Sequence, residues 1–187
     1  MAKKFAVIGL GIFGTHLAVE LAARGAEVMA IDSDLDKLDD VKDKVTLTVR
    51  LDSTDESALR NQNLDEFDAV IVGMGDSFEA SILTVALLQQ IGIERIIVRG
   101  TTSIHKKILN HLGIEEIILP SEEAAERLAS TLSMEKIIDS FALTSEYTIV
   151  EAETPKHFVG KSLQLLDLPS QKGISIITIK RRESRSR

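Results

Sequence analysis

The sequence predicts an α/β fold, a doubly wound parallel sheet, on three observations. The first is an apolar run, Phe5-Ala6-Val7-Ile8, that ends in Gly9-Leu10-Gly11-Ile12-Phe13-Gly14. This is a G-x-G-x-x-G turn between a strand and a helix. Gly9 permits the tight turn, Gly11 lets backbone approach a pyrophosphate, and Gly14 lets the helix pack close on the strand. The second is another apolar run, residues 27–31, ending in Asp32, an acid placed to accept hydrogen bonds from ribose hydroxyls. The third is a sustained alternation of short apolar runs with helical patterns, which parallel strands joined by right-handed crossovers require. Together they make the sheet Rossmann-like.

Strands are expected at residues 4–8, 27–31, 45–49, 69–72, 95–98 and 116–119, several of them continuous apolar runs of the kind buried on both faces. Helical spacing covers residues 16–23, 36–41, 56–61, 79–91, 104–112 and 122–131. Asp34, Thr54, Asp76 and Ser121 can each cap a helix, and Asp76 with Glu79 forms a D-x-x-E box. Gly25, Gly92 and Gly113 stand where helices should end. Residues 88–98 and 108–119 repeat one helix-turn-strand solution, but the period does not persist as a solenoid's would.

From residue 134 the rhythm changes. A helix is expected from Met134 to Phe141, with apolar residues at 134, 137, 138 and 141. Strands are expected at 147–152 and 174–179, around a short helix at 162–166. This divides the chain into a nucleotide-binding domain over residues 1–133, a crossover or dimerisation helix over 134–143, and a small, incomplete α+β C-terminal lobe with a basic tail over 144–187. A lobe that short buries little core alone, so the apolar stripe on the helix before it implies a dimer.

The net charge of -7, with no Trp and one Tyr, argues against a nucleic-acid partner, since a phosphate backbone is repelled and stacking platforms are few. No Cys is present, which removes disulfides and thiolate chemistry. The four His are scattered, His105 and His111 do not share a helix face, and no metal site is expected. Glu122 and Glu123 open a helix, where its dipole favours acids. Residues 5–19 carry no Asp, Glu, Lys or Arg but are too short and glycine-broken for a membrane span, and the glycine turn explains them better than a signal peptide does.

The candidate site follows from the strand ends. Gly9, Gly11, Ile12, Phe13 and Gly14 form the phosphate turn and the helix start behind it, whose free N–H groups attract anions. Asp32, with Ser33 beside it, is the ribose acceptor, or else a helix-entry residue. An acid there repels a 2′-phosphate, so NADP is disfavoured. Asp52 and Ser53 follow the third strand and meet the adenine side of a nucleotide, or serve only to open a helix at Thr54. Gly73, Met74 and Gly75 follow the fourth strand, as a close backbone approach or a flexible loop. Arg99 ends the fifth strand, as a counter-charge to phosphate or a surface ion pair.

These residues resemble a known family. The Gly9–Gly14 turn, Asp32, Asp52-Ser53-Thr54-Asp55 and Val72-Gly73-Met74-Gly75 are similar to an RCK (regulator of potassium conductance, KTN) domain. Glu79-Ala80-Ser81-Ile82-Leu83-Thr84, Ile117-Ile118-Leu119-Pro120-Ser121-Glu122 and Leu143-Thr144-Ser145-Glu146-Tyr147-Thr148-Ile149-Val150-Glu151 resemble the cytosolic gating subunits of Ktr/Trk-type potassium uptake systems. The resemblance spans residues 3–180. It implies an adenine nucleotide (NAD/NADH, ADP or ATP) as ligand and a homodimer assembling into a ring, an octamer among the forms. It also implies a membrane potassium translocating subunit as partner, and a cytoplasmic location at the inner membrane face through that subunit. Two departures stand out. Ile12 replaces an Arg that meets a terminal phosphate in the family, and Ser121 replaces a Glu associated with a divalent cation. Both weaken ATP-over-ADP discrimination and metal coupling, and leave NAD(H), ADP or AMP open. The C-terminal lobe ends near Ile179, short of the family's further strands, so no effector site is predicted there.

The expected function is thus nucleotide-sensing regulation of a potassium transporter or channel, not enzymatic catalysis. The alternatives are a small NAD-dependent oxidoreductase and a nucleotide-binding oligomerisation module. The former is weakened because the residues after 134 supply too little for a substrate domain.

Overall fold

The computed structural model describes residues 2–133, 137–144 and 147–180. Its strands are short and mostly apolar, and such strands are satisfied only between two layers. β1 (Lys4–Ile8), β2 (Glu27–Asp32), β3 (Leu47–Arg50), β4 (Ala69–Val72), β5 (Ile96–Arg99) and β6 (Glu116–Ile118) form one parallel sheet in the order β3-β2-β1-β4-β5-β6. The period-two alternation of a strand divides the core in two. Ala6 and Ile8 of β1 join a cluster with Val70 and Val72, while Val7 joins the other with Val28, Ala30 and Ile71. α1 (Ile12–Ala23) and α2 (Leu35–Asp39) cover the second cluster through Ala18 and Leu38. α3 (Glu56–Arg60), α4 (Phe78–Ile91) and α5 (Ser103–His111) cover the first through Leu59, Val85, Leu88 and Leu109. The register sets Ile8 against Ile31 on one side and Val72 on the other, so the C-terminal ends of β1, β2 and β4 lie level. Chain order reverses between β1 and β4, which opens a crevice at that edge.

The local signals differ from expectation at three helix starts. Asp55, not Thr54, caps α3, accepting the Ser57 and Ala58 N–H groups, because the Thr54 hydroxyl is turned back to Asp52 (2.7 Å). Ser77, not Asp76, caps α4 by accepting the Ala80 N–H (3.2 Å). α6 (Pro120–Ser133) begins on the proline itself, whose fixed φ suits the first turn, so Ser121 lies inside the helix. Asp34 caps α2 as expected, and Gly92 closes α4 in the left-handed conformation (φ 92).

The contacts divide the chain into two units, Met1–Ala124 and Ala125–Arg187. The second carries the clearest correction. The helix expected over Met134–Phe141 is absent from its described part, where β7 (Ile137–Ala142) pairs antiparallel with β8 (Thr148–Ala152). Met134, Glu135 and Lys136 lie outside the described residues. Apolar positions 137, 138 and 141 fit helical spacing and not a regular alternation, but Ile137 and Ile138 are β-branched, β8 supplies a hydrogen-bonding partner, and the register shifts between Ile137 and Asp139. The helical stripe that implied a dimer is therefore not the form this segment takes. α7 (Leu163–Leu166), capped by Ser162, matches the expected short helix, and α8 (Leu168–Lys172) follows it. Residues 174–179, expected as a strand, form no ladder among the described residues.

One buried titratable group has a consequence for stability. His105 is 1% exposed, with Nδ1 facing the Thr101 hydroxyl (3.2 Å) and its ring edge-on to Phe78. Nε2 is buried without a partner, and burial holds the imidazole pKa below its ordinary value. The unfolded chain therefore takes up a proton first. The stabilising contribution is complete above the unfolded pKa, about 6.5, and is lost as pH falls below it. Melting temperature should drop between about pH 7.5 and 5.5, before the carboxylates Asp52, Asp55 and Glu116 enter. Those three sit below their ordinary range, held there first by the Thr54 hydroxyl, the Ser57 hydroxyl and Arg95 respectively. An equal drop in His105→Gln would refute the assignment.

Candidate nucleotide site

The turn after β1 is built from close backbone approaches. Gly9 has φ +91, a region L side chains rarely adopt, and its N–H donates to the Ile31 carbonyl (2.8 Å). A Cβ on Gly14 would overlap the Gly9 carbonyl oxygen, and one on Gly73 would lie 3.1 Å from the same atom. The Gly73 N–H donates to the Ile8 carbonyl (2.8 Å), joining the turn after β1 to the end of β4. Gly11 is different in kind. A Cβ there meets nothing within 4 Å, and Gly11 faces the open cleft at the sheet edge. It precedes α1, whose first turn has no acidic residue and no side-chain cap. Those N–H groups are left for an anion.

Asp32, 9% exposed, ends β2. Its Oδ2 accepts the Leu10 N–H (2.6 Å) and its Oδ1 the Asp34 N–H (2.9 Å). The side chain thus fixes the glycine turn and leads the chain into α2, as its helix-entry reading expects, and it also lines the cleft. Lys37 Nζ lies 3.6 Å from Oδ2 and lines the same cleft. The backbone carbonyl of Ser33 accepts from Arg50 Nε (3.1 Å).

Asp52 accepts both the N–H (2.9 Å) and the hydroxyl of Thr54, which hold its carboxyl below the usual range and so ionised at neutral pH. Ser53 is buried, its Oγ 2.8 Å from Thr84 Oγ1 and 3.8 Å from Met74 Sδ. The Thr84 hydroxyl also contacts the Ser53 carbonyl (3.2 Å), so the end of β3 is tied to α4.

The cleft these strand ends enclose has a volume of about 230 Å³. Gly9, Gly11, Asp32, Ser33, Asp52, Ser53, Met74 and Gly75 line it, all residues the sequence pointed to. Ile12, Phe13, Gly14, Gly73 and Arg99 do not. Ile12 is 85% exposed, and the Arg99 guanidinium lies over the Phe13 ring, 5.9 Å from its centroid. Sequence reasoning did not place Lys37, Asp76 or Ser77 in the site, and all three line the cleft. A lysine on a helix as short as α2 leaves no periodic signal. The Ser77 cap could have been found by weighing Ser77 against Asp76. Among the described residues no group of His, Cys, Asp and Glu could hold a metal ion, and no helix is long and apolar enough to cross a membrane.

A TrkA-N domain family model matches residues 5–120. The Ktr system potassium uptake protein C of Bacillus subtilis (strain 168) is 39% identical over 181 residues, 97% of this chain and 82% of that one. The Ktr system potassium uptake protein A of the same organism is 34% identical over 178 residues, 95% of this chain and 80% of that one. Among solved structures, the NAD(P)-binding domain of an exopolyphosphatase-related protein from Archaeoglobus fulgidus aligns with a TM-score of 0.62 at 26% identity. That alignment covers 68% of this chain and 96% of that one.

Proposed function

This chain belongs to the TrkA-N domain family, and we propose that it is a nucleotide-sensing regulatory subunit of a membrane potassium transporter. It binds an adenine nucleotide in the cleft at the C-terminal sheet edge, and the ligand alters the geometry of a homodimer or ring docked on the inner membrane face. The observation that carries the reading is Gly11. Its side-chain space is empty and opens on the cleft beside the uncapped first turn of α1, where a phosphate group has room and donors. The similarity to two potassium uptake proteins over nearly the whole chain supports the regulatory role. No reaction at the site is needed for that role. The ribose end holds Asp32, which favours ligands without a 2′-phosphate, with Lys37 only partly offsetting its charge.

Ile12 supplies no charge to a terminal phosphate, so ATP and ADP should bind within about tenfold of each other. Calorimetric titration measures this directly, and Ile12→Arg should strengthen ATP more than ADP. Potassium flux into vesicles carrying a Ktr-type membrane subunit then tests the role itself. Flux should depend on which adenine nucleotide accompanies this chain, and flux indifferent to nucleotide would overturn the proposal.

A further inference from the structure

Arg99 ends β5 on the same sheet edge as the cleft, yet it does not line the cleft wall. One face of its guanidinium lies over Phe13, in the first turn of α1. On another side it abuts Gly75, so closely that a Cβ there would overlap Nη1. Phe13 follows β1 and Gly75 follows β4, the adjacent strands between which chain order reverses. The guanidinium therefore sits between the turns that follow β1 and β4, beside the switch point across which a dinucleotide spans a doubly wound sheet.

The cation is also poorly satisfied where it sits. Arg99 takes part in no ion pair among the described residues, and its Nε is buried without a hydrogen-bond partner. The Phe13 ring offsets part of that cost through its π face. A terminal phosphate would offset more, through charge-assisted hydrogen bonds.

Resting on the nucleotide-binding reading above, we infer that Arg99 is the specificity-determining residue of the cleft, selecting a nucleotide that ends in phosphate over a dinucleotide. The second half of a dinucleotide must expel the guanidinium from between Phe13 and Gly75. In oxidised NAD the nicotinamide ring also brings a positive charge toward it. A mononucleotide stops short of the crevice and gives the arginine its missing anion. Ile12, exposed at the helix start, adds no competing cation.

Titration of the full chain with ADP and with oxidised NAD, in the wild type, Arg99→Ala and Arg99→Lys, tests this. The wild type should bind ADP at least about tenfold more tightly than NAD. Arg99→Ala should weaken ADP, strengthen NAD and bring the two within about threefold, and Arg99→Lys should keep part of the ADP preference. Thermal melting checks that each variant folds. If Arg99→Ala does not, Arg99→Gln, which keeps bulk without charge, decides by the same ratio. NAD binding to the wild type as tightly as ADP, or an unchanged ratio in a folded uncharged variant, would overturn the selection. Failure of both ligands to bind the wild type would overturn the nucleotide reading beneath it.

Discussion

Gly11→Val is expected to abolish nucleotide binding and leave the chain folded. The two halves of that result come from one observation. No protein atom lies within 4 Å of a Cβ built on Gly11, and its φ of -69 suits any residue, so valine costs the fold little. The space the side chain enters is the cleft itself, next to the first N–H groups of α1. A branched side chain there stands where a phosphate must approach, and affinity should fall at least about a hundredfold, roughly 2.7 kcal/mol. Circular dichroism and calorimetry on the same sample measure both halves. Wild-type affinity in a folded variant would remove the phosphate from this turn.

Gly14→Ala should give the opposite pattern, a damaged fold. The added carbon overlaps the Gly9 carbonyl oxygen, which is backbone and cannot rotate aside. Helix α1 would have to withdraw from β1, opening contacts around Val7 and Ala18. Overpacking of this kind costs about 3 kcal/mol, the upper end of the usual range. Melting temperature should drop by about 6–12 °C. A wild-type melting curve would mean that the helix can step back freely, against the packing described for the turn. The two glycines lie in one hexapeptide, and only the structure separates the one that faces the open cleft from the one that faces backbone.

Much of this was legible in the sequence because the determinants are local. Short runs rich in apolar and β-branched residues, spaced by helical segments, mark the six parallel strands, which were found to within a few residues. The glycine hexapeptide and Asp32 lie within one strand-turn-helix-strand unit, and their relation is set by that unit alone. The membership in a potassium-uptake-related family followed from the order of such units.

What was not legible depends on competition or on distant packing. In Asp52-Ser53-Thr54-Asp55 four residues can cap, and the outcome turned on which hydroxyl bonded which carboxylate. At residues 137–142 the apolar spacing points to a helix, and a partner segment, β8, overrode it. Arg99 could be placed at a strand end, but its position between Phe13 and Gly75 is a tertiary fact with no trace in the order of residues.

Asp32 limits how this protein could change its ligand over evolutionary time. Acceptance of a 2′-phosphate is most simply gained by replacing the acid at the end of β2 with a neutral residue. Here that acid also receives the Leu10 and Asp34 N–H groups, so its loss loosens the glycine turn to which the proposal assigns phosphate binding. Each step toward the new ligand would weaken the grip on any ligand. A lineage drifting that way must keep the carboxylate and add charge around it, at Ser33 or along the Lys37 side of α2. On the proposed reading, ligand preference is thus anchored less by what the cleft recognises than by what the same side chain holds upright.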